Sequence, residues 1–213
     1  MRVILIAAKE LKFAKTRLQS GYGEESRRRL AEAMFRDVLN ASIVARNREH
    51  VAVVSSDPLL LTIAREVGAI AIDEEWPRGL NAAVELATRA LCSEGATTVC
   101  TVLSDIPLVT GTDIDSAISA TPARGGVVLV PSHERTGTNI IVRSPGYAIP
   151  TRFGKSSLGQ HLEECRKRDL ECTVLTLVRA ALDLDVPGDL REFVRLGGAH
   201  HTSSELSRLG LHG

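Results

Sequence analysis

One stretch limits this chain more than any other: Thr98–Thr110, TVCTVLSDIPLVT. Thr98–Leu103 is apolar and β-branched, the pattern of a strand buried on both faces. The run breaks at Ser104-Asp105-Ile106-Pro107, and Pro107 cannot continue a strand ladder. An acid therefore stands where a buried strand surfaces. A strand covered on both faces predicts an α/β architecture, and in open parallel sheets ligands bind beyond the carboxyl ends of the strands. That position suits Asp105 to bind a metal, or equally to cap a turn, and the stretch alone leaves both readings open.

The flanking chain repeats the same alternation of strand and helix. Val3–Ala8 predicts a buried first strand, Glu24–Arg46 a helix whose Leu30, Met34, Val38, Ala41 and Ala45 share one face, and Val51–Ser55 a second strand. Asp57 and Pro58 suit the N-cap and first turn of the next helix, which ends near Gly68 before a short strand at Ala69–Ile72. Two βαβ steps of this kind begin a doubly wound sheet. Further helices are predicted from Asn81 to about Leu91, over Thr112–Ala120 and over Leu158–Arg168, with strands at Gly126–Val130, Asn139–Val142 and Val174–Leu177.

Charge gathers where a phosphate-binding loop would lie. After the first strand there is no G-x-G-x-x-G and no Walker lysine, but Lys9, Lys12, Lys15 and Arg17 crowd one loop. A solvated basic loop is the bland reading; its place beyond a central strand favours phosphate binding. Gly154, Ser156 and Ser157 open a helix, where backbone N–H groups and the helix dipole favour an anion. Gly79 can let the backbone approach a ligand, and Asn81 suits either a nucleoside contact or simple helix capping. In an extended Leu182–Val186, Asp183 and Asp185 share a face about 6.6 Å apart. Like charges so placed repel, and a divalent cation is the economical remedy.

Composition excludes several classes. Lys+Arg and Asp+Glu balance at 26 each, so no net charge draws nucleic acid or an anionic membrane. Cys92, Cys100, Cys165 and Cys172 form no C-x-x-C pair, which argues against structural zinc and a disulfide framework. No apolar run approaches the ~20 residues of a membrane span, and Met1 leads straight into a strand rather than a signal peptide. The expectation is a soluble, cytoplasmic chain forming one domain over 1–213. Residues 197–213, with His200-His201, read as a surface helix suited to an oligomer contact such as a homodimer, and not as a metal site.

Seven segments in order carry a resemblance: KELKFAKTRL at Lys9–Leu18, VVSSDP at Val53–Pro58, GLNAA at Gly79–Ala83, SDIPL at Ser104–Leu108, RTGTN at Arg135–Asn139, RFGKSS at Arg152–Ser157 and LDLDVP at Leu182–Pro187. Over about residues 1–196 the chain resembles the 2-phospho-L-lactate/phosphoenolpyruvate guanylyltransferase family of coenzyme F-420 biosynthesis. The resemblance implies a three-layer α/β fold of the nucleotide-diphospho-sugar-transferase (GT-A, Rossmann-like) type, with a mostly parallel sheet and helices on both faces. It implies transfer of GMP from GTP to a three-carbon phosphate acid, with release of pyrophosphate and delivery of the product to a downstream transferase.

Residue by residue, the resemblance makes Asp105, Asp183 and Asp185 ligands of Mg²⁺, in two ions. Lys9, Thr138, Gly154 and Ser157 would hold the acid, Lys15 and Arg17 would face the triphosphate, and Ser55, Gly79 and Asn81 would face the nucleoside. The acceptor is phosphoenolpyruvate, 2-phospho-L-lactate or 3-phospho-D-glycerate, with a lean to the first. One departure stands out: Lys155-Ser156 fills the variable pair of F-G-x-x-S, where family members often have Pro followed by Gly or Asp. A cytidylyl- or molybdenum-cofactor guanylyl-type enzyme of the same fold is the nearest alternative, but such enzymes typically carry a Gly-rich first loop. A non-catalytic nucleotide sensor is another, although it would be expected to lose one of the three acids.

Overall fold

The apolar run ending at Asp105 forms β4 (Thr98–Leu103), in the middle of the sheet and with the bounds its pattern predicts. The computed structural model describes residues 1–19, 21–198 and 200–210, and the side chain of Arg17 lies outside that description. Parallel to β4 run β1 (Arg2–Ala7), β2 (His50–Ser55) and β3 (Ile70–Asp73). On the other side come β5 (Gly126–Pro131), β6 (Thr138–Ser144) and β7 (Cys172–Val174), giving the order β3-β2-β1-β4-β6-β5-β7. Only β6 runs against the rest, antiparallel to both β4 and β5.

Alternating side chains of the strands feed two separate cores, as a sheet covered on both faces requires. Ile4, Ile6, Val53, Val102 and Val142 pack beneath α1 (Glu24–Val44), α2 (Pro58–Glu66) and α4 (Gly111–Ser119). Leu5, Val54, Val99, Leu129 and Ile141 face α3 (Leu80–Ser93) and α5 (Ser157–Lys167). Asp57 caps α2 by accepting from the N–H of Leu59 at 3.0 Å, as its place before Pro58 predicted.

The lone antiparallel strand has a consequence for chemistry. Val102 of β4 pairs with Ile140 of β6, so Thr138 and Asn139, at the start of β6, lie at the edge where β1 and β4 end. A parallel strand would have carried them to the opposite edge.

One element differs from expectation near the C-terminus. The strand predicted at Val174–Leu177 instead spans Cys172–Val174, paired with β5 from Val127 to Leu129, and the chain then turns into the short α6 (Val178–Ala181). After α7 (Pro187–Leu196), the tail forms α8 (His201–Arg208), which packs along α1. Asp37 of α1 accepts from the backbone N–H groups of His201 and Thr202 at 2.8 and 2.9 Å, satisfying donors that open the helix. Leu206 is fully buried in this contact, while other α8 residues stay exposed, as expected of a surface helix.

Between α6 and α7 the chain is extended, and burial alternates: Leu182 and Leu184 are buried, while Asp183 and Asp185 stay partly open. The segment is tied down by backbone partners. Leu184 N–H donates to the Asp105 carbonyl at 3.1 Å, and the Asn139 amide donates to the carbonyls of Ala180 and Ala181, each at 3.0 Å. The Ala181 carbonyl also accepts from His133 N–H, so Asn139→Ala strands only the Ala180 carbonyl. That variant is expected to lose about 1–3 kcal/mol of stability, read as a lower urea midpoint at unchanged m-value.

Candidate active site

The loop after β1 meets the sheet edge without glycine. It forms two short 3₁₀ turns, Leu11–Phe13 and Thr16–Leu18, pinned by the buried side chains of Leu11 and Leu18. Asp57, besides capping α2, accepts from Leu11 N–H at 2.9 Å and holds the loop against the neighbouring strand end. Lys15 takes the left-handed conformation (φ 53°), which turns the chain sharply.

The four cations of this loop do not act as one patch. Lys12 pairs with Glu10 and stacks over Phe13. Lys9 is exposed and lines the cleft. The side chain of Arg17 lies outside the described residues. Lys15, expected to face a triphosphate, lines the cleft with a mostly buried side chain, its ammonium 2.9 Å from both Asp105 Oδ2 and Asp185 Oδ1. Acids delivered to one edge by β4 and by the 182–186 segment need a countercharge, and Lys15 supplies it. Burial alone would lower the pKa of Lys15, but the two carboxylates outweigh it and the net direction is up.

The same edge raises the pKa of Asp183 to about 6, first by burial and then by the charges of Asp105 and Asp185, against its own backbone N–H and Lys15. Among the described residues, Asp105 Oδ1 is buried without any hydrogen-bond partner. An orphaned carboxylate oxygen beside further carboxylates is the donor chemistry of a hard divalent cation. The three acids are not gathered into a ready cage, however: among the described residues no group of three or more acids, histidines or cysteines is placed to hold a metal ion.

Two cavities join at these acids. One, of about 310 Å³, runs under the β1 loop and is lined by Ala8, Lys9, Lys15 and Ser104. The other, of about 580 Å³, is lined by Thr136, Thr138, Phe153, Gly154, Ser157 and Asp183. Lys9, Leu80, Leu103, Asp105 and Asp185 line both. The cleft is therefore bipartite, with Lys9 and the acids at its waist. A smaller apolar recess of about 100 Å³ extends from the first cavity past Glu74, Pro77 and Gly79.

The start of α5 is less open to anions than its sequence suggests. Ser157 N–H donates to the Gly154 carbonyl at 3.2 Å, and Leu158 N–H donates to the Thr136 carbonyl at 3.1 Å. Two of the helix's early donors are thus used within the chain. Gly154 has φ +122° with open space where a Cβ would stand, so backbone conformation rather than crowding demands glycine there.

The residues expected at the nucleoside divide. Gly79 lines the apolar recess at φ +90°, as the N-cap residue of α3. Ser55 is fully buried, and its hydroxyl accepts from Asp57 N–H at 3.0 Å, so it turns the chain after β2 instead of facing the cleft. Asn81 neither stands free nor caps α3. Its amide oxygen accepts from Phe153 N–H at 2.7 Å, and its amide nitrogen donates to the Phe153 carbonyl at 3.0 Å. Asn81 thereby clamps the loop before α5 onto α3.

Behind the larger cavity lies His161, which the sequence did not single out. It is fully buried on α5, 3.0 Å from Thr138 Oγ1 through Nδ1, and its Nε2 accepts from Arg152 N–H at 2.8 Å. Only a histidine within a helix marks it in the sequence, and most such residues are unremarkable. Arg143 is likewise unannounced: fully buried on β6, it donates to Glu85 Oε1, the Ile149 carbonyl and Thr88 Oγ1 at 2.8–2.9 Å.

A mostly parallel sheet with one antiparallel strand, carrying acids, a lysine-rich loop and a two-part cleft along one edge, is the α/β fold of the nucleotide-diphospho-sugar-transferase-like class. Solved structures share the fold. A Desulfovibrio desulfuricans G20 protein assigned to the nucleotide-diphospho-sugar transferases aligns at TM-score 0.79 and 18% identity, covering 97% of this chain and 94% of that one. A nucleotidyl transferase of Methanothermobacter aligns at TM-score 0.65 and 13% identity, covering 92% and 99%. Within that class the chain matches the family described as "Guanylyl transferase CofC like" over residues 1–212, and it belongs to that family.

Its relatives differ in the acceptor they are named for. A phosphoenolpyruvate guanylyltransferase of Sphaerobacter thermophilus is 34% identical, over 89% of this chain and 91% of its own length. A 2-phospho-L-lactate guanylyltransferase of Methanothermobacter thermautotrophicus is 32% identical (96% and 89%), and a 3-phospho-D-glycerate guanylyltransferase of Phenylobacterium zucineum 31% (92% and 91%).

Burial, then the charges of Arg143 and Arg152, push the pKa of His161 down to about 4, with Glu164 pulling the other way. The folded value lies below the unfolded one, so the unfolded chain binds the extra proton between pH 4 and pH 6.5. This contribution to stability is present above pH 6.5 and is lost as the pH falls towards 4. It amounts to about 2–3 kcal/mol. Urea unfolding across this range is expected to show the loss in the wild type and not in His161→Gln.

Proposed function

We propose that this protein transfers GMP from GTP to a three-carbon phosphate acid with release of pyrophosphate, in the biosynthesis of coenzyme F-420. The observation that carries the reading is the bipartite cleft, whose two cavities meet at Asp105, Asp185 and Lys9. A nucleotidyl transfer needs such a junction: a nucleoside triphosphate on one side, a second anion on the other, and countercharge between them.

In this reading the triphosphate occupies the cavity under the β1 loop, and the nucleoside reaches past Gly79. The acid lies in the larger cavity, within reach of Thr138, Gly154 and Ser157. Lys9 has no acidic partner among the described residues, and it offers its ammonium to both anions at the waist. The nucleophile is an oxygen of the acceptor's phosphate, which is ionised at neutral pH, so the chain needs no general base. Lys15 balances Asp105 and Asp185 and keeps the edge from repelling the incoming phosphates.

Asp105, Asp183 and Asp185 would hold Mg²⁺, in two ions; the orphaned Asp105 Oδ1 supports that assignment. When bound, the metal neutralises developing charge on the α-phosphate and the leaving pyrophosphate. No general acid is assigned, because pyrophosphate leaves as a stable anion. We further propose that the enzyme works in the cytoplasm and that phosphoenolpyruvate is its acceptor. Lys155 at the mouth of the acid's cavity adds a cation that bears on that choice.

The test is pyrophosphate release in Mg²⁺ with each of GTP, ATP, CTP and UTP, paired in turn with phosphoenolpyruvate, 2-phospho-L-lactate and 3-phospho-D-glycerate. Release with GTP and phosphoenolpyruvate is expected. Release with another acid moves the acceptor, and release with another nucleotide or none at all removes the function. Asp105→Asn keeps the backbone link to Leu184 and should lower kcat at least about a hundredfold. Unchanged turnover in that variant would remove Asp105 from the chemistry.

A further inference from the structure

The hydrogen bonds around His161 have a direction that can be worked out. Arg152 reaches His161 Nε2 through its backbone N–H, at 2.8 Å. A backbone N–H can only donate, so Nε2 must present its lone pair. A neutral imidazole that accepts at Nε2 carries its proton on Nδ1. That proton faces Thr138 Oγ1, 3.0 Å away. The Thr138 hydroxyl therefore accepts from His161 and keeps its own proton to give, and His161 is its only hydrogen-bond partner among the described residues. Thr138 lines the larger cavity.

We infer that His161 is a positioning residue for the acceptor subsite: through its Nδ1–H it fixes the Thr138 hydroxyl as a donor towards an anionic group in the cleft. The inference rests on the reading above that the acid binds beside Thr138. With the opposite tautomer, Thr138 would donate to the ring and turn lone pairs towards the cleft, against any carboxylate or phosphate. Protonation would set an Nε2–H against the Arg152 N–H, and the depressed pKa of the ring keeps that form away at neutral pH. The ring is held from its other side as well. Phe153 packs edge-on against it, with ring centroids 5.5 Å apart, and Asn81 clamps the Phe153 backbone through both of its amide atoms.

The experiment has two arms on the full chain. Nitrogen-15 NMR of labelled histidine, with the His161 signals assigned by their absence from His161→Gln, reads the tautomer directly. Kinetics with GTP and the three acids read its consequence. An Asn side chain sets an amide near the Nδ1 position of histidine, whereas Gln sets it near Nε2. His161→Gln is thus expected to raise the acceptor KM about ten- to a hundredfold while the KM for GTP stays put, since a donor to an anion is lost. Thr138→Val should do the same, the double variant should be no worse than either, and His161→Asn should recover most of the loss.

An Nε2–H tautomer or an imidazolium at neutral pH overturns the inference. So does a His161→Gln enzyme that keeps its acceptor KM, or one in which both KM values rise together as from general loosening. Failure of the wild type to use any of the three acids would instead remove the reaction on which the inference rests, whichever tautomer is seen.

Discussion

One ammonium group holds this site together. Lys15 Nζ lies 2.9 Å from a carboxylate at the end of β4 and 2.9 Å from another in the segment between α6 and α7. These pieces are ninety and one hundred and seventy residues from Lys15 in the chain. Without a cation between them, two acids at a partly buried edge would repel and raise one another's pKa, as Asp183 still shows. The left-handed turn at Lys15 is the local cost of placing the ammonium there. The fold thus spends a strained backbone position and a buried charge on keeping an acidic edge intact, a pattern expected where function and not stability sets the residues.

Around this electrostatic centre, the polar residues that matter are mostly those that hold backbone. Asn139 fixes the carbonyls from which the Asp183–Asp185 segment departs, Asp57 fixes the β1 loop, and Asn81 fixes the loop before α5. Each side chain satisfies main-chain groups that no helix or strand ladder reaches. This gives the irregular segments lining the cleft a definite shape. The two cavities are therefore walls built on loops, but loops pinned from the rigid elements behind them.

Much of this was legible in advance. The buried strands announced themselves by unbroken β-branched runs, and Asp57-Pro58 marked the start of α2 with its cap in place. Asp183 and Asp185 share one partly open face of Leu182–Val186, as expected, because an extended segment over a core alternates its side chains and here buries Leu182 and Leu184 on the other side. The cations of the first loop were legible only as a group. Their partners depend on which side of the loop faces the sheet edge, so Lys12 and Lys15 ended with opposite fates. Ser55 and Asn81 looked like ligand contacts because small polar residues at strand and helix ends serve both ligands and the chain itself, and composition cannot tell these uses apart. His161 and Arg143 gave no signal, since a buried histidine or arginine is defined by partners far away in sequence.

The sequence by itself determined the layered α/β architecture, the family, and the presence of acids, cations and small polar residues near strand and helix ends. Those properties are local: periodicity, caps and motif spacing are written within a few residues of where they act. Tertiary structure alone decided that β6 runs antiparallel, and so that Thr138 and Asn139 share an edge with Asp105. It also decided that Lys15 bridges two acids and that α8 lies on α1. These outcomes depend on register and on competition among distant partners for the same charge or surface, which no window along the chain contains.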